Sequence, residues 1–205
     1  MLNEYLYVDE WIQYNIFLGF DLIHIYDNTV NGSNYLRNLQ NRYGHYINYT
    51  HHPGQGAQTA VYERCLLTYQ HRKVWAAFID VDEFIVLRKH TSIGHFLYDV
   101  KGNKGGAIYV NWVMFGPNHH IHYKNELVLK RFTLRGKHVD PLFMGKTISY
   151  LPDVGLIDAH VPKYIRNKTD FTDAHGRNYY TRRSYTENII AVYHYYTKSF
   201  EGIFI

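Results

Sequence analysis

The stretch that decides the fold is WAAFIDVDEFIVL, residues 75–87. An apolar run leads into three acidic side chains, Asp80, Asp82 and Glu83, and a second apolar run follows at once. No glycine or proline interrupts it, although such residues are typical of a surface turn. Charges between two core segments are costly unless a partner compensates them. We therefore interpret these carboxylates as part of a binding site beside a buried strand.

Composition and charge narrow the class of protein. The chain has 205 residues, of which 46% are hydrophobic and 20% charged, which favours one globular domain over disorder. The net charge of +4 is not concentrated in runs, so it suits an anionic small ligand better than nucleic acid. Cys65 is the single cysteine, which indicates a reducing compartment. Without a signal-peptide pattern or an apolar run of about 20 residues, we expect a soluble, cytoplasmic protein.

Outward from this stretch, helical and strand patterns alternate through the first hundred residues. The helical patterns cover residues 4–19, 34–43, 59–71 and 92–100, and the strand patterns cover residues 21–26, 45–49, 74–79, 84–87 and 107–113. This alternation predicts an α/β fold with a mostly parallel central sheet and helices on both faces. Short alternating runs at residues 126–132, 146–151 and 189–196 predict a smaller antiparallel, loop-rich C-terminal subregion.

The acidic residues stand where such a sheet binds ligands. Asp80 directly follows the predicted strand at residues 74–79. Ligands of open α/β sheets bind at the carboxyl ends of strands. Asp80 and Asp82 point to the same side in extended backbone, where two close carboxylates repel unless a cation lies between them. Mn²⁺ or Mg²⁺ would suit these oxygen ligands. The alternative is a turn in which the aspartates form local hydrogen bonds.

The stretch resembles the D-x-D segment of GT-A-fold glycosyltransferases, and more narrowly glycosyltransferase family 92 and family 2-like sequences. Three further stretches resemble the same group in the same order: NEYLYVDEWIQYNIFLGFDLIHIYDN at residues 3–28, NWVMFG at residues 111–116 and HYYTKSFEG at residues 194–202. The likeness spans nearly the whole chain. It departs at the start, because a full strand normally precedes the Asn-Glu pair, whereas only Met1 and Leu2 precede Asn3 here. It also suggests a domain of a larger protein, of the kind found in large DNA viruses.

The resemblance implies a Rossmann-like GT-A fold over residues 1–205. It implies transfer of a hexosyl or deoxyhexosyl group from a UDP-sugar to a glycan or glycoprotein acceptor, with a divalent metal and with inversion. Residues 1–105 would bind the nucleotide-sugar and residues 106–205 the acceptor. Asp80 and Asp82 would hold the metal and the donor phosphates. Asp27, beside Asn28, would bind the base or ribose, with a turn-forming Asp-Asn pair as the alternative.

Further donor and metal candidates follow from the same likeness. His194 would complete the metal sphere, with a purely structural histidine as the alternative. Lys198 and Ser199 would contact the diphosphate, unless they form a solvated strand end. Gln58 ends a glycine-containing loop that precedes the predicted helix at residues 59–71, where an anion can bind, and Arg64 lies on that helix, although it also fits a surface position.

Acceptor and base candidates come from the second half of the chain. Trp112 could stack on a sugar ring, with a core tryptophan as the alternative, and His160 would lie near the acceptor. An inverting transferase needs a general base, for which Asp158 and Asp140 are the candidates.

Two other classes of protein compete with this interpretation. One is another Mg²⁺- or Mn²⁺-dependent nucleotide or phosphate enzyme, which would need a second metal cluster. The other is a non-catalytic carbohydrate- or RNA-binding module that uses some of the 21 tyrosines as stacking platforms. Such a module has no use for carboxylates at a strand end, and they would repel RNA.

Overall fold

The computed structural model describes residues 6–54, 56–136, 144–182 and 184–198. The α-helices of this part of the chain are α1 (Val8–Leu18), α2 (Asn34–Tyr43), α3 (Gln58–Tyr69), α4 (Ile93–Lys101), α5 (Val128–Arg131) and α6 (Tyr179–Arg182). Its strands are β1 (Ile23–Asp27), β2 (Ile47–His51), β3 (Trp75–Ala77), β4 (Glu83–Leu87), β5 (Ala107–Met114), β6 (Gly145–Tyr150), β7 (Val154–Ile157), β8 (Pro162–Ile165), β9 (Phe171–Asp173) and β10 (Ile190–His194). Single turns of 3₁₀ helix cover Gly44–Tyr46, Leu151–Asp153 and Lys168–Asp170.

Local capping chemistry defines the long helices of the first half. The side chains of Ser33 and Ser92 accept hydrogen bonds from the first turns of α2 and α4, which satisfies backbone donors that have no partner within the helix. α1 ends at Gly19, whose φ of 96° is left-handed and therefore suits glycine. The four predicted helices are confirmed, with boundaries that differ by at most four residues.

The strands form one six-stranded sheet and two separate pairs. The large sheet has the order β3-β6-β5-β10-β4, and β9 pairs with the start of β5. β1 and β2 pair in parallel, and β7 and β8 form an antiparallel hairpin. β5 lies at the centre of the large sheet because β6 covers one edge, whereas β9 and β10 share the other.

The prediction of a mostly parallel central sheet is not confirmed for the described residues, where the sheet is mixed. β6 lies antiparallel to both β3 and β5, and β10 lies antiparallel to β4. β3 and β4 lie at opposite ends of the strand order, and β6, β5 and β10 lie between them. Strands from the second half of the chain therefore enter the sheet that the first half begins. The run at residues 126–132, which we predicted as part of the antiparallel region, instead contains the short helix α5.

Apolar packing fixes the segment between β3 and β4 from both sides. Phe78 belongs to a cluster with α3, while Val81 and Phe84 belong to the cluster that includes α1, β1 and β2. Phe84 is fully buried. A mainly apolar cavity of about 460 Å³ lies between β1 and β3 and is closed by residues of α1, α3 and α4. Among the described residues, we find no helix with the length and apolar character needed to cross a membrane.

Candidate functional site

The acidic segment is a short turn that is held rigidly in place. The backbone N–H of Glu83 donates to the carbonyl of Asp80 at 3.0 Å, and the Asp80 N–H donates to Glu83 Oε2 at 2.8 Å. Trp11 Nε1 donates to the carbonyl of Glu83, and the Tyr195 N–H donates to the carbonyl of Asp82, both at 2.9 Å. α1 and the chain after β10 thus anchor the turn, so its backbone has a fixed position.

Both oxygens of the Asp80 carboxylate already have partners. Gln58 Nε2, at the first residue of α3, donates to Asp80 Oδ1 at 3.0 Å. Lys146 Nζ, on β6, donates to Asp80 Oδ2 at 2.9 Å. The Asp80 side chain nevertheless keeps 45% of its surface exposed, so a ligand can reach it. Gln58 therefore lies at the acidic turn, while its predicted contact with the donor stays a prediction.

Glu83 and Lys146 form a buried ion pair directly beneath Asp80. Lys146 Nζ lies 3.4 Å from Glu83 Oε2, and the two side chains are 2% and 0% exposed. Burial raises the pKa of Glu83 to about 7, because the charge of Lys146 only partly offsets the loss of hydration. Burial alone would lower the pKa of Lys146, but the interactions with Glu83, Tyr62 and Asp80 together outweigh it and raise that pKa to about 12. Glu83 Oε1 is buried, and no residue in the described part of the chain forms a hydrogen bond with it.

Asp82 faces a histidine and a second lysine. Its Oδ2 lies 3.5 Å from Nε2 of His194, the last residue of β10. Burial would raise the pKa of Asp82, but the interaction with His194 and the charge of Lys198 together lower it. Lys198 is itself buried, and its Nζ lies 4.6 Å from the ring centre of Tyr7. Asp82 therefore stays ionised, and the predicted partners Asp82, His194 and Lys198 do come together.

The rings of His194, Trp112 and His160 contact one another in a row, which we call the aromatic wall. The ring of Trp112 lies 4.5 Å from the His194 ring and 5.1 Å from the His160 ring, measured between centres. β5 and β10 run in parallel here, which aligns Met114 with His194. The indole N–H of Trp112 and Nδ1 of His194 are buried and have no hydrogen-bond partner among the described residues. Of the predicted acceptor residues, Trp112 thus contacts His194, which faces Asp82, and His160 contacts Trp112.

Asp27 is fully buried at the end of β1, and most of its hydrogen bonds come from the loop that follows this strand. Its Oδ1 accepts hydrogen bonds from the backbone and hydroxyl of Thr29, and its Oδ2 accepts from the Ser33 N–H and the Tyr49 hydroxyl. Four donors saturate this carboxylate, which favours the alternative that Asp27 shapes the turn. A contact between Asp27 and the donor stays a prediction.

The remaining candidates lie farther from the turn or outside the described residues. Asn28 is partly buried beside Asp27, and Arg64 is exposed on the surface of α3. Asp158 accepts from the Ala159 N–H and pairs with Lys163 at 3.4 Å, and these contacts lower its pKa. A lowered pKa makes Asp158 a weaker base. The predictions for Asp140 and Ser199 lie outside the described residues.

The donor set fits a metal that is shared with a ligand. Among the described residues, no group of three or more His, Cys, Asp or Glu side chains is placed to hold a metal ion by itself. Asp82 is ionised beside His194, and Asp80 is exposed at the same turn. Mg²⁺ and Mn²⁺ are commonly held by one or two carboxylates together with substrate phosphates. Asp80 and Asp82 therefore fit such a site if phosphates supply further ligands.

Sequence reasoning missed Lys146, the residue that links the turn to the sheet. It was treated as one position of an alternating run, although a lysine in a strand of otherwise buried residues is unusual. That lone charge next to Gly145 was the available signal.

A Cβ at Gly145 would lie 2.0 Å from the carbonyl oxygen of Val110, so β5 and β6 approach too closely for any other residue.

Comparison with known proteins gives two matches. The model of glycosyltransferase family 92 matches residues 3–202 of the chain. A glycosyltransferase family 92 protein of Ricinus communis is 35% identical over 96 residues, which make up 43% of this chain and 15% of that protein. The matched region is therefore a small part of the plant protein's length.

Proposed function

The chain belongs to glycosyltransferase family 92, and we propose that it transfers a hexosyl or deoxyhexosyl group from a UDP-sugar to a glycan or glycoprotein acceptor, with Mn²⁺ or Mg²⁺ and with inversion. The observation that carries this proposal is the fixed acidic turn between β3 and β4. It presents Asp80 and Asp82 beside an aromatic wall.

The acidic turn suits the nucleotide-sugar donor, and the aromatic wall suits the acceptor. A divalent cation, when bound by Asp80 and Asp82, would supply positive charge against the diphosphate that leaves with the nucleotide. Lys198 lies close enough to lower the pKa of Asp82, so its charge also acts on this region. Trp112 offers an aromatic face, and such faces pack against the apolar faces of sugar rings.

Inversion requires a base that removes the proton of the acceptor hydroxyl. Among the described candidates, His160 lies against Trp112, and its Nδ1 is 3.2 Å from the carbonyl oxygen of Gly145. That contact fixes the ring, whereas Asp158 is tied to Lys163. Asp158 and Asp140 remain the proposed bases, and His160 is an acceptor contact.

A donor screen tests the proposal. Thermal unfolding is measured with UDP, UDP-glucose, UDP-galactose and GDP-sugars, each with Mn²⁺ and with a chelator. A ligand at 100 times its Kd adds about 2.7 kcal/mol to the free energy of unfolding. We expect this stabilisation from a UDP-sugar only when Mn²⁺ is present.

Matched variants distinguish the loss of a metal ligand from the general effect of removing a carboxylate. Asp82→Asn should abolish the Mn²⁺-dependent stabilisation. Asp99→Asn removes a carboxylate from the exposed part of α4, where it pairs with His90, and should leave the stabilisation intact. The proposal is wrong if no nucleotide-sugar stabilises the chain with Mn²⁺, or if Asp82→Asn behaves like wild type. NMR of the anomeric configuration in the product decides between inversion and retention.

A further inference from the structure

Lys146 has an unusual place for a lysine. It is the second residue of β6, aligned with Val110 of β5, and its side chain is 2% exposed. Burying an ammonium group is costly unless anions pair with it. The sheet therefore positions a permanent positive charge under the acidic turn.

The ammonium of Lys146 lies between two carboxylates of different exposure. It is 2.9 Å from Asp80 Oδ2 and 3.4 Å from Glu83 Oε2. Asp80 is partly exposed, whereas Glu83 is fully buried. A divalent cation that used Asp80 Oδ2 would have to replace Lys146 at that oxygen or share it against the repulsion of like charges.

We propose that Lys146 competes with the divalent cation for Asp80 and so keeps metal binding weak until a diphosphate is present. This inference rests on the proposed function in taking Asp80 and Asp82 as metal ligands. Lys146 is a positioning residue in this scheme, because it acts through Asp80.

Glu83 allows Asp80 to exchange its contact with Lys146 for a contact with the metal. When Asp80 turns to a metal, Lys146 keeps Glu83 as its partner, so the lysine is not left as an uncompensated buried charge. The negative charge of a diphosphate then favours the arriving cation and offsets its repulsion by Lys146. Metal and nucleotide should therefore bind cooperatively, each strengthening the other by the same factor.

A titration with Mn²⁺ alone tests the proposal. Free Mn²⁺ is followed by electron paramagnetic resonance for the wild type and for Lys146→Met, in which an unbranched apolar side chain replaces the lysine. Removing the competing charge should tighten Mn²⁺ binding by about tenfold or more, equivalent to about 1.4 kcal/mol. UDP should strengthen Mn²⁺ binding in the wild type and do so less in the variant.

Lys101→Met is the matched control. Lys101 is also buried, but its Nζ donates to the carbonyl of Asp170 at the far end of β5. Its loss should lower stability without changing Mn²⁺ affinity. A gain in Lys146→Met alone would thus report on the acidic turn.

Lys146→Met leaves Glu83 without its cation, so a second pair of variants guards against misfolding. Glu83→Gln/Lys146→Met contains neither buried charge, and its Mn²⁺ affinity should exceed that of Glu83→Gln, in which the lysine has only Asp80 left. The proposal is overturned if removing Lys146 from a folded chain leaves Mn²⁺ binding unchanged or weaker in either background. A chain that binds Mn²⁺ as expected but no UDP-sugar would contradict the proposed function alone.

Discussion

Replacing Glu83 by glutamine should change how stability depends on pH. The folded chain raises the pKa of this carboxyl from 4.5 to about 7, mainly because Glu83 is fully buried. Ionisation is therefore harder in the folded state than in the unfolded state. The stability associated with the protonated carboxyl is fully present below pH 4.5 and is lost as the pH rises through about 7.

The size of the effect follows from the two pKa values. A shift of one unit corresponds to about 1.4 kcal/mol, so a rise from 4.5 to about 7 corresponds to about 3 kcal/mol. Glu83→Gln cannot ionise and lacks this loss. Between pH 5 and pH 8, which covers most of this change, the free energy of unfolding of the wild type should fall by about 2.5 kcal/mol relative to that of Glu83→Gln.

Urea denaturation in the presence of a chelator measures this difference at pH 5, 6, 7 and 8. The chelator is needed because a bound cation would favour the ionised carboxylates. Glu126→Gln removes a carboxylate from the exposed surface and serves as the control variant. Parallel stability profiles for the wild type and Glu83→Gln would refute the reasoning, since they would mean that burial does not oppose ionisation of Glu83.

Three further predictions concern other parts of the molecule. Asp27→Asn should lower the free energy of unfolding by about 2–3 kcal/mol in urea denaturation, because four donors lose an ionised acceptor; an unchanged value would show that the loop tolerates a neutral side chain. Gly145→Ala should cost about 1–3 kcal/mol in the same assay, because its Cβ would lie 2.0 Å from the Val110 oxygen. Trp112→Leu should raise KM for the acceptor by up to about tenfold while KM for the donor changes little, and an equal rise in both would contradict an acceptor role.

Local signals in the sequence predicted the helices of the first half well. Ser33 and Gly44 bracket α2, and Ser92 begins α4, because capping depends on neighbouring residues alone. The strands of the first half were also predicted within a few residues, whereas β7, β8 and β9 were not predicted and residues 126–132 contain a helix. Strand partners were not, because the pairing of β10 with β4 and β5 joins segments about a hundred residues apart along the chain. Hydrophobic alternation shows which face of a strand is buried but not which strand lies beside it.

In the candidate site too, local features could be predicted from the sequence and features that depend on strand pairing could not. The spacing of Asp80 and Asp82 predicted extended backbone, whereas the structure holds them in a turn that is closed by hydrogen bonds between Asp80 and Glu83. The HYYTKS motif pointed to His194, which lies beside Asp82. The contribution of Lys146 depends on β6 inserting between β3 and β5, which no local pattern reveals. Asp27 illustrates the converse, since this carboxylate at a strand end accepts hydrogen bonds from its own loop and from Tyr49 of the neighbouring strand.

The apolar flanks of the acidic turn and its charges depend on one another. Phe78 and Phe84 bury the chain on either side, which forces Glu83 out of contact with water. A buried carboxylate needs a cation, and β6 supplies Lys146, whose ammonium also reaches Asp80. The turn can then carry three carboxylates without a bound metal, and its backbone stays fixed by Trp11 and the chain after β10. A turn anchored in this way holds its charges in position before any ligand arrives, and preorganised charges of this kind contribute most to electrostatic stabilisation.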